Sequence, residues 1–218
     1  KIALFGNNGY ELIAGGTGSG DVNKAYSVSL EQGFAKAGYM VDNDLKSSYN
    51  TYIHEEKIKN PKKSFFQEFM NPTPPIKEYY ANDDLINKAA NDDDIAIITI
   101  GRNAGEGRDR KPENDFNLSD TEKTMIKNIT EGFHAKNKKA IVVLNIGGVI
   151  EMASWNNIPD AILLAWQPGL EGGNAIADLL SGKVNPSGKL AVTFPVNCEG
   201  VPTAEVFPGK TFPEEAPK

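Results

Sequence analysis

The chain has 218 residues, of which 39% are hydrophobic and 24% charged, the make-up of an ordinary soluble globular protein long enough for one large domain or two small ones. Its formal net charge is −6, from 23 basic and 29 acidic residues, which argues against nucleic acid or anionic lipid as a partner. The single cysteine, Cys198, rules out an internal disulfide or a CxxC metal or redox site, and no apolar run approaches the roughly 20 residues that span a bilayer, so no membrane partner is expected.

The chain opens on KIALFG (1–6), a short apolar run ending in glycine that reads as a central parallel strand rather than a signal peptide. So abrupt a start suggests a piece of a longer protein. A glycine-rich loop, Gly15-Gly16-Thr17-Gly18-Ser19-Gly20-Asp21, follows. Ala25, Val28, Phe34 and Ala37 then recur at helical spacing up to a stop at Gly38, and Tyr39-Met40-Val41 reads as a brief strand. Leu45, Tyr49, Tyr52 and Ile53 predict a helix over 45–58. Between Asn60 and Tyr80, Pro61, Pro72, Pro74 and Pro75 exclude regular structure, while Phe65, Phe66 and Phe69 call for burial. That segment reads as an extended excursion packed on a neighbouring surface.

A short helix over 83–91, with Leu85, Ile86, Ala89 and Ala90 inward, leads into a buried strand over 95–100. After the loop GRNAGEGRDR (101–110), Ser119 and Glu122 have the S-x-x-E form of a capping box, and Met125, Ile126, Ile129 and Phe133 form the apolar stripe of the helix it starts. KAIVVLNI (139–146) is the next buried strand. A helical turn around Glu151, a strand over 161–166, a helix over 171–181 closed by Gly182 and a last strand over 189–194 complete the pattern. This alternation predicts an α/β fold, a three-layer α/β/α sandwich with a mostly parallel sheet and right-handed crossovers. It occupies residues 1–195, with 196–218 as an extended, proline-bearing C-terminal connector.

GRNAGEGRDR places one carboxylate, Glu106, between two glycines directly after a buried strand. Open α/β sheets put ligand chemistry at such carboxyl ends, and flanking glycines leave the carboxylate unobstructed. A solvated turn in which Glu106 pairs with Arg102, Arg108 or Arg110 would have the same local sequence. GGTGSGD resembles a phosphate cradle but lacks the Lys-Ser/Thr of a P-loop, and Asp21 would repel phosphate. Its amides, with the Thr17 and Ser19 hydroxyls, suit a neutral polyhydroxyl ligand; a helix cap made by Ser19 or Asp21 is the plainer reading. His54 and His134 lie far apart without ligand-spaced partners and read as surface or dipole-compensating residues. Trp166, at a strand end, suits either a sugar face or the core. There is no G-x-S-x-G elbow and no discernible Ser/His/Asp arrangement, and nothing asks for a cofactor or a metal.

AWQPGLEGGNAIADLLSGKVNPSGKLAVTFP (165–195), GGTGSGDV and IAIITIGRNAGEGRDR (95–110) together resemble the sheet domain of glycoside hydrolase family 3, the β-glucosidase and exo-acting glycosidase group. The resemblance runs from Lys1 to about Pro208. It implies a retaining β-glycosidase, of β-glucosidase type, acting on a terminal β-linked sugar of a β-glucoside or oligosaccharide. In that family this domain supplies the general acid/base glutamate and a barrel domain supplies the aspartate nucleophile. The glutamate falls on Glu106 and the sugar-contacting serine on Ser19, with Gly18 beside it in the substrate-binding loop. Nothing in the chain matches the barrel, so the chain alone is expected to be inactive. A non-catalytic carbohydrate-binding or interaction module of the same fold is the alternative from a different class, and a nucleotide-binding domain a more distant one.

Overall fold

The computed structural model describes residues 1–20, 22–61, 63, 67, 73–103, 109–204 and 209. Glu106, Asp21, the phenylalanines Phe65, Phe66 and Phe69 and the terminal prolines Pro208, Pro213 and Pro217 lie outside the described residues.

Four strands, β1 (Ile2–Phe5), β2 (Ile95–Arg102), β3 (Lys139–Ile146) and β4 (Ala161–Leu164), form one sheet in the order β1-β2-β3-β4 with every ladder parallel. Among the described residues five α-helices accompany it: α1 (Leu30–Lys36), α2 (Asn43–Lys59), α3 (Asp83–Asp92), α4 (Asp120–His134) and α5 (Gly172–Leu180). Residues 96–100 of β2 and 142–146 of β3 are buried without alternation, so both faces of the sheet are covered, as a parallel sheet requires. Phe5 meets Phe133 of α4 edge-on at 6.4 Å. On α2, Tyr49 stacks on Tyr10 at 5.1 Å and its hydroxyl reaches the Met125 sulfur of α4. Helices α1 and α5 pack on each other closely enough that a Cβ at Gly33 would collide with the Gly173 carbonyl, and one at Gly173 with the Ser29 carbonyl. Two glycines in contact bring two helix backbones together where any side chain would hold them apart.

The expected elements are present with four differences. Helix α1 starts at Leu30, not near Ala25, because Ser29 and Gln32 form a reciprocal capping box; Val28 is instead tied to the start of α5, its N–H donating to the Leu170 carbonyl at 2.9 Å and its carbonyl accepting the Gly173 N–H at 3.2 Å. The strand expected at 39–41 is one parallel bridge, Ile2 to Val41, since Asp42 turns the chain into α2 by accepting the Asp44 and Leu45 N–H groups at 2.9 Å. Strand β4 ends at Leu164 rather than Trp166 because Trp166 takes the left-handed conformation, φ 51°. Residues 189–194 make no ladder; their alternation Leu190, Val192, Phe194 is that of a strand, but Leu190 is 66% exposed and the segment lies across an apolar trough from Ile162 and Leu164 instead of bonding to β4. Around Glu151 the chain makes a hydrogen-bonded turn, Asn156 N–H to the Met152 carbonyl, 2.9 Å, and residues 198–204 turn twice more.

The Val41 bridge marks a switch point of the sheet. It occupies the side of β1 opposite β2, so the chain leaves β1 in one direction, through α1, and returns past it to reach β2. The winding direction reverses between β1 and β2. Ligands of open α/β sheets bind outside the carboxyl ends of the strands at such a switch point, and here those ends lead into the glycine-rich loop and the Glu106 loop.

Candidate functional site

The roots of the 103–109 loop are pinned by two arginines. Arg102, the last residue of β2, makes a fork-on-fork pair with Glu122, Nη1 to Oε1 2.6 Å and Nη2 to Oε2 2.7 Å, and its Nε reaches the Asp115 carbonyl, 2.8 Å. The two side chains are only 10% and 6% exposed. Glu122 is also the N3 residue of the α4 capping box, accepting from the Ser119 N–H and hydroxyl at 2.8 Å, so one carboxylate both starts α4 and neutralises the end of β2. At the other root, Arg110 donates from Nε and Nη2 to Asp115 Oδ1, 2.9 and 2.8 Å, and from Nη1 to the Val149 carbonyl, 2.6 Å. Asp115 belongs to a wide turn, Pro112–Phe116, in which Asn114 has φ 58°. Arg102 and Arg110 are thus engaged by Glu122 and Asp115, which weakens the reading of GRNAGEGRDR as a turn built to pair Glu106 with them.

The glycine-rich loop shares a cavity with Asn103, the residue after β2. Gly18–Gly20 form a single 3₁₀ turn, with Gly18 at φ 64° and Gly20 N–H bonded to the Thr17 carbonyl, 3.2 Å; the Ser19 side chain lies outside the description. Ile13, Gly15, Thr17, Ser27, Asn50 and Asn103 line a cavity of about 620 Å³ between this loop, α1 and α2. Glu11, Lys24 and Glu31 line it too, and a cavity of that size walled by hydroxyls, amides and charged groups suits a polar, hydroxyl-bearing ligand. Asn103 joins it to the Glu106 loop, and its Oδ1 accepts from Gln167 Nε2, 3.1 Å.

The WQPG run is hydrogen-bonded to the same loops. Trp166 is 36% exposed, its ring tilted against Phe194 at 6.1 Å, so it is neither a core residue nor a free platform. Gly169, at φ 79°, donates its N–H to the Ala14 carbonyl, 2.9 Å. Asn145, the penultimate residue of β3, is completely buried and bonds to Ile13, Asn8 and the Trp166 carbonyl. Elsewhere, His54 is exposed, and His134 ends α4 and meets Asp160 at 2.8 Å, away from these loops. Cys198 is a free, half-buried thiol. Among the described residues no group of three or more His, Cys, Asp or Glu side chains is placed to hold a metal, and no helix is long and apolar enough to cross a membrane.

Sequence reasoning missed Asn145, Asp115, Gln167 and Glu78. A polar residue inside the otherwise apolar KAIVVLNI was the available signal for the first. Glu78 is half-buried, its Oε1 accepting the N–H groups of Asn7 and Tyr79 at 2.9 and 3.1 Å just beyond β1. Burial pushes its pKa up to about 8; the charge of Glu122 adds to the rise, while the two N–H donors and Arg102 oppose it. The folded chain therefore keeps a proton that the unfolded chain loses near the ordinary value of 4.5, and stability falls as pH rises from there to about 8. Glu78→Gln should remove this loss. In urea titrations the stability of the variant relative to the parent should climb across that interval and level off above it; an offset independent of pH would contradict the assignment.

Residues 1–216 match the family model described as the glycosyl hydrolase family 3 C-terminal domain, and the chain belongs to that family. Beta-glucosidase A of Butyrivibrio fibrisolvens is 34% identical over 95% of this chain and 26% of its own length, and a beta-glucosidase of Ruminococcus albus 31% identical over 94% and 21%. The chain thus spans about a quarter of the length of these relatives. Among solved structures, beta-glucosidase 3B from Thermotoga neapolitana in complex with glucose superposes with a TM-score of 0.87 at 42% identity, over 96% of this chain and 29% of that one.

Proposed function

We propose that this chain is the acid/base-bearing α/β domain of a retaining β-glycosidase, of β-glucosidase type, that removes terminal β-linked sugars from β-glucosides or oligosaccharides. Residues 1–195 make up that domain and 196–218 its connector. Glu106 is the general acid/base, Ser19 and Gly18 contact the sugar, and the nucleophilic aspartate comes from a barrel domain of the same enzyme. Glu106 protonates the glycosidic oxygen as the aspartate attacks the anomeric carbon. It then takes a proton from the water that attacks the same carbon and releases the sugar.

The observation that carries this reading is the double pinning of the 103–109 loop, in a chain of this family. Arg102 on Glu122 and Arg110 on Asp115 fix the two residues between which the chain carries Glu106, and rigid supports of that kind are what an acid/base held against a second domain requires. The cavity bounded by Thr17 and Asn103 supports sugar binding beside it. Docking against a barrel would withdraw Glu106 from water and raise its pKa towards that of a working general acid.

Two carboxylates about 5–5.5 Å apart are needed for the retaining reaction, so one half of the pair should not suffice. The purified 218-residue chain should release no aryl aglycone from an aryl β-glucoside above background, while the enzyme containing both domains should turn the same substrate over. Catalytic turnover by the chain alone would contradict the division of labour.

A further inference from the structure

Asn145 uses every hydrogen-bonding position of its side chain. Oδ1 accepts the Ile13 N–H at 2.6 Å and Asn8 Nδ2 at 3.5 Å; Nδ2 donates to the Ile13 carbonyl at 2.9 Å and the Trp166 carbonyl at 2.7 Å. Two donors and two acceptor sites are all that a carboxamide has. Its orientation is fixed as well, because the Ile13 N–H can meet only Oδ1 and the Ile13 carbonyl only Nδ2. The side chain thus imitates a strand pairing with one residue of the loop after β1, and a further hydrogen bond ties Asn145 itself to the turn after β4.

Its surroundings extend the clasp across the sheet. Asn145 lies opposite Gly101 in the β2–β3 register, and Asn8 packs over Gly101 so closely that a Cβ there would collide with its carboxamide. Ala14, next to Ile13, receives the Gly169 N–H, and Gln167 reaches Asn103 at the root of the Glu106 loop. The loops leaving β1, β2 and β4 therefore meet around one buried amide on β3. Trp166 has φ 51°, a conformation that a bulky residue holds only when its surroundings impose it, and the Asn145 bond to its carbonyl is such a constraint.

We infer that Asn145 is the positioning residue of the sugar site: through Ile13 it holds the start of the glycine-rich loop against the WQPG turn, which in turn reaches Asn103. This rests on the reading of Ser19 and Glu106 given above. Asn145 touches no substrate and moves no proton, so its loss should weaken sugar binding equally for every leaving group, whereas loss of an acid/base should depend on the leaving group.

The test uses the enzyme containing both domains, with active sites counted by a 2-deoxy-2-fluoro glucoside that traps the nucleophile. Asn145→Leu removes all four bonds; Asn145→Asp keeps the shape but sets a carboxylate against the Ile13 and Trp166 carbonyls. Per titrated site, kcat/KM should fall about tenfold or more in both variants, chiefly through KM and by one factor for good and poor leaving groups, since a shift of about 1 Å in a positioning group can cost a hundredfold. Asn145→Asp should regain ground on the parent as pH falls and its carboxyl recovers a donor. Values per titrated site within twofold of the parent, with only the melting temperature lowered, would overturn the inference. Should the leucine variant fail to fold, the aspartate variant decides by the same criteria. Glu106→Ala assayed in parallel keeps the two readings apart: if it leaves activity unchanged, the acid/base reading fails, whatever Asn145 does.

Discussion

Glu106→Ala, in the enzyme containing both domains, should lower turnover of cellobiose by about 10²–10⁴-fold, the usual contribution of a positioned general acid, while an aryl glucoside with a strongly acidic phenol loses far less in its first step. The difference follows from the role proposed for the glutamate. An alkoxide-like sugar cannot leave without a proton, whereas a nitrophenolate needs little help, so the substrate that depends on the acid reveals its loss. For the activated substrate the sugar still reaches the enzyme nucleophile, and the second step, which needs a base to activate water, becomes slow. A fast burst of phenol followed by slow turnover is expected in stopped-flow records. An equal loss on both substrates would mean that Glu106 serves binding or folding instead.

Glu122→Ala should be strongly destabilising. It leaves the Arg102 guanidinium buried without its bidentate partner and removes the reciprocal acceptor of the Ser119 cap. Breaking one side of a buried ion pair costs about 3–5 kcal/mol, and loss of a helix cap about 1 kcal/mol more. At 218 residues each kcal/mol lowers the melting temperature by roughly 2–4 °C, so a fall of about 10 °C or more is expected by calorimetry. Glu122→Gln keeps an acceptor for both partners and should lose much less. The double replacement Arg102→Met with Glu122→Leu should recover most of the loss, because the cost lies in the stranded charge rather than in the absence of attraction. A fall of under 1 kcal/mol for Glu122→Ala would show that water reaches Arg102.

Where local chemistry decided the structure, the sequence revealed it. Ser119 and Glu122 announced the start of α4, KAIVVLNI announced β3, and Gly38 and Gly182 marked the ends of α1 and α5 by taking φ 88° and 77°. Where a tertiary contact decided it, the sequence misled. The 39–41 segment has the composition of a strand, yet Asp42 turns the chain away after one bridge. Leu190, Val192 and Phe194 alternate as a strand does, yet they face a trough instead of a ladder partner. Trp166 looked like the last residue of an apolar strand, and only its left-handed backbone shows why the strand stops earlier.

The proposed site is marked in the sequence only at its extremities, and its supports are hidden there. Two glycines around a glutamate and a run of glycine, threonine and serine are chemical signals that survive without a structure. Supports such as Arg102 with Glu122, Arg110 with Asp115 and Asn145 with Ile13 join residues 5 to 132 positions apart, and no local pattern records which arginine meets which carboxylate. The WQPG run sits between these cases. Its sequence marked the family, but its structural purpose, a left-handed tryptophan, a glutamine on Asn103 and a glycine on Ala14, emerges only when three loops are seen together.

The most direct test of the assignment of Glu106 is to supply Glu106→Ala, in the enzyme containing both domains, with sodium azide and an activated aryl β-glucoside, and to identify the product by proton NMR. With the sugar held on the nucleophile of the barrel domain and no general base to activate water, azide needs no deprotonation and should attack the anomeric carbon from the vacated side, restoring turnover and giving β-glucosyl azide. Azide that leaves the rate unchanged, with glucose as the sole sugar product, would contradict the assignment of Glu106 as the acid/base.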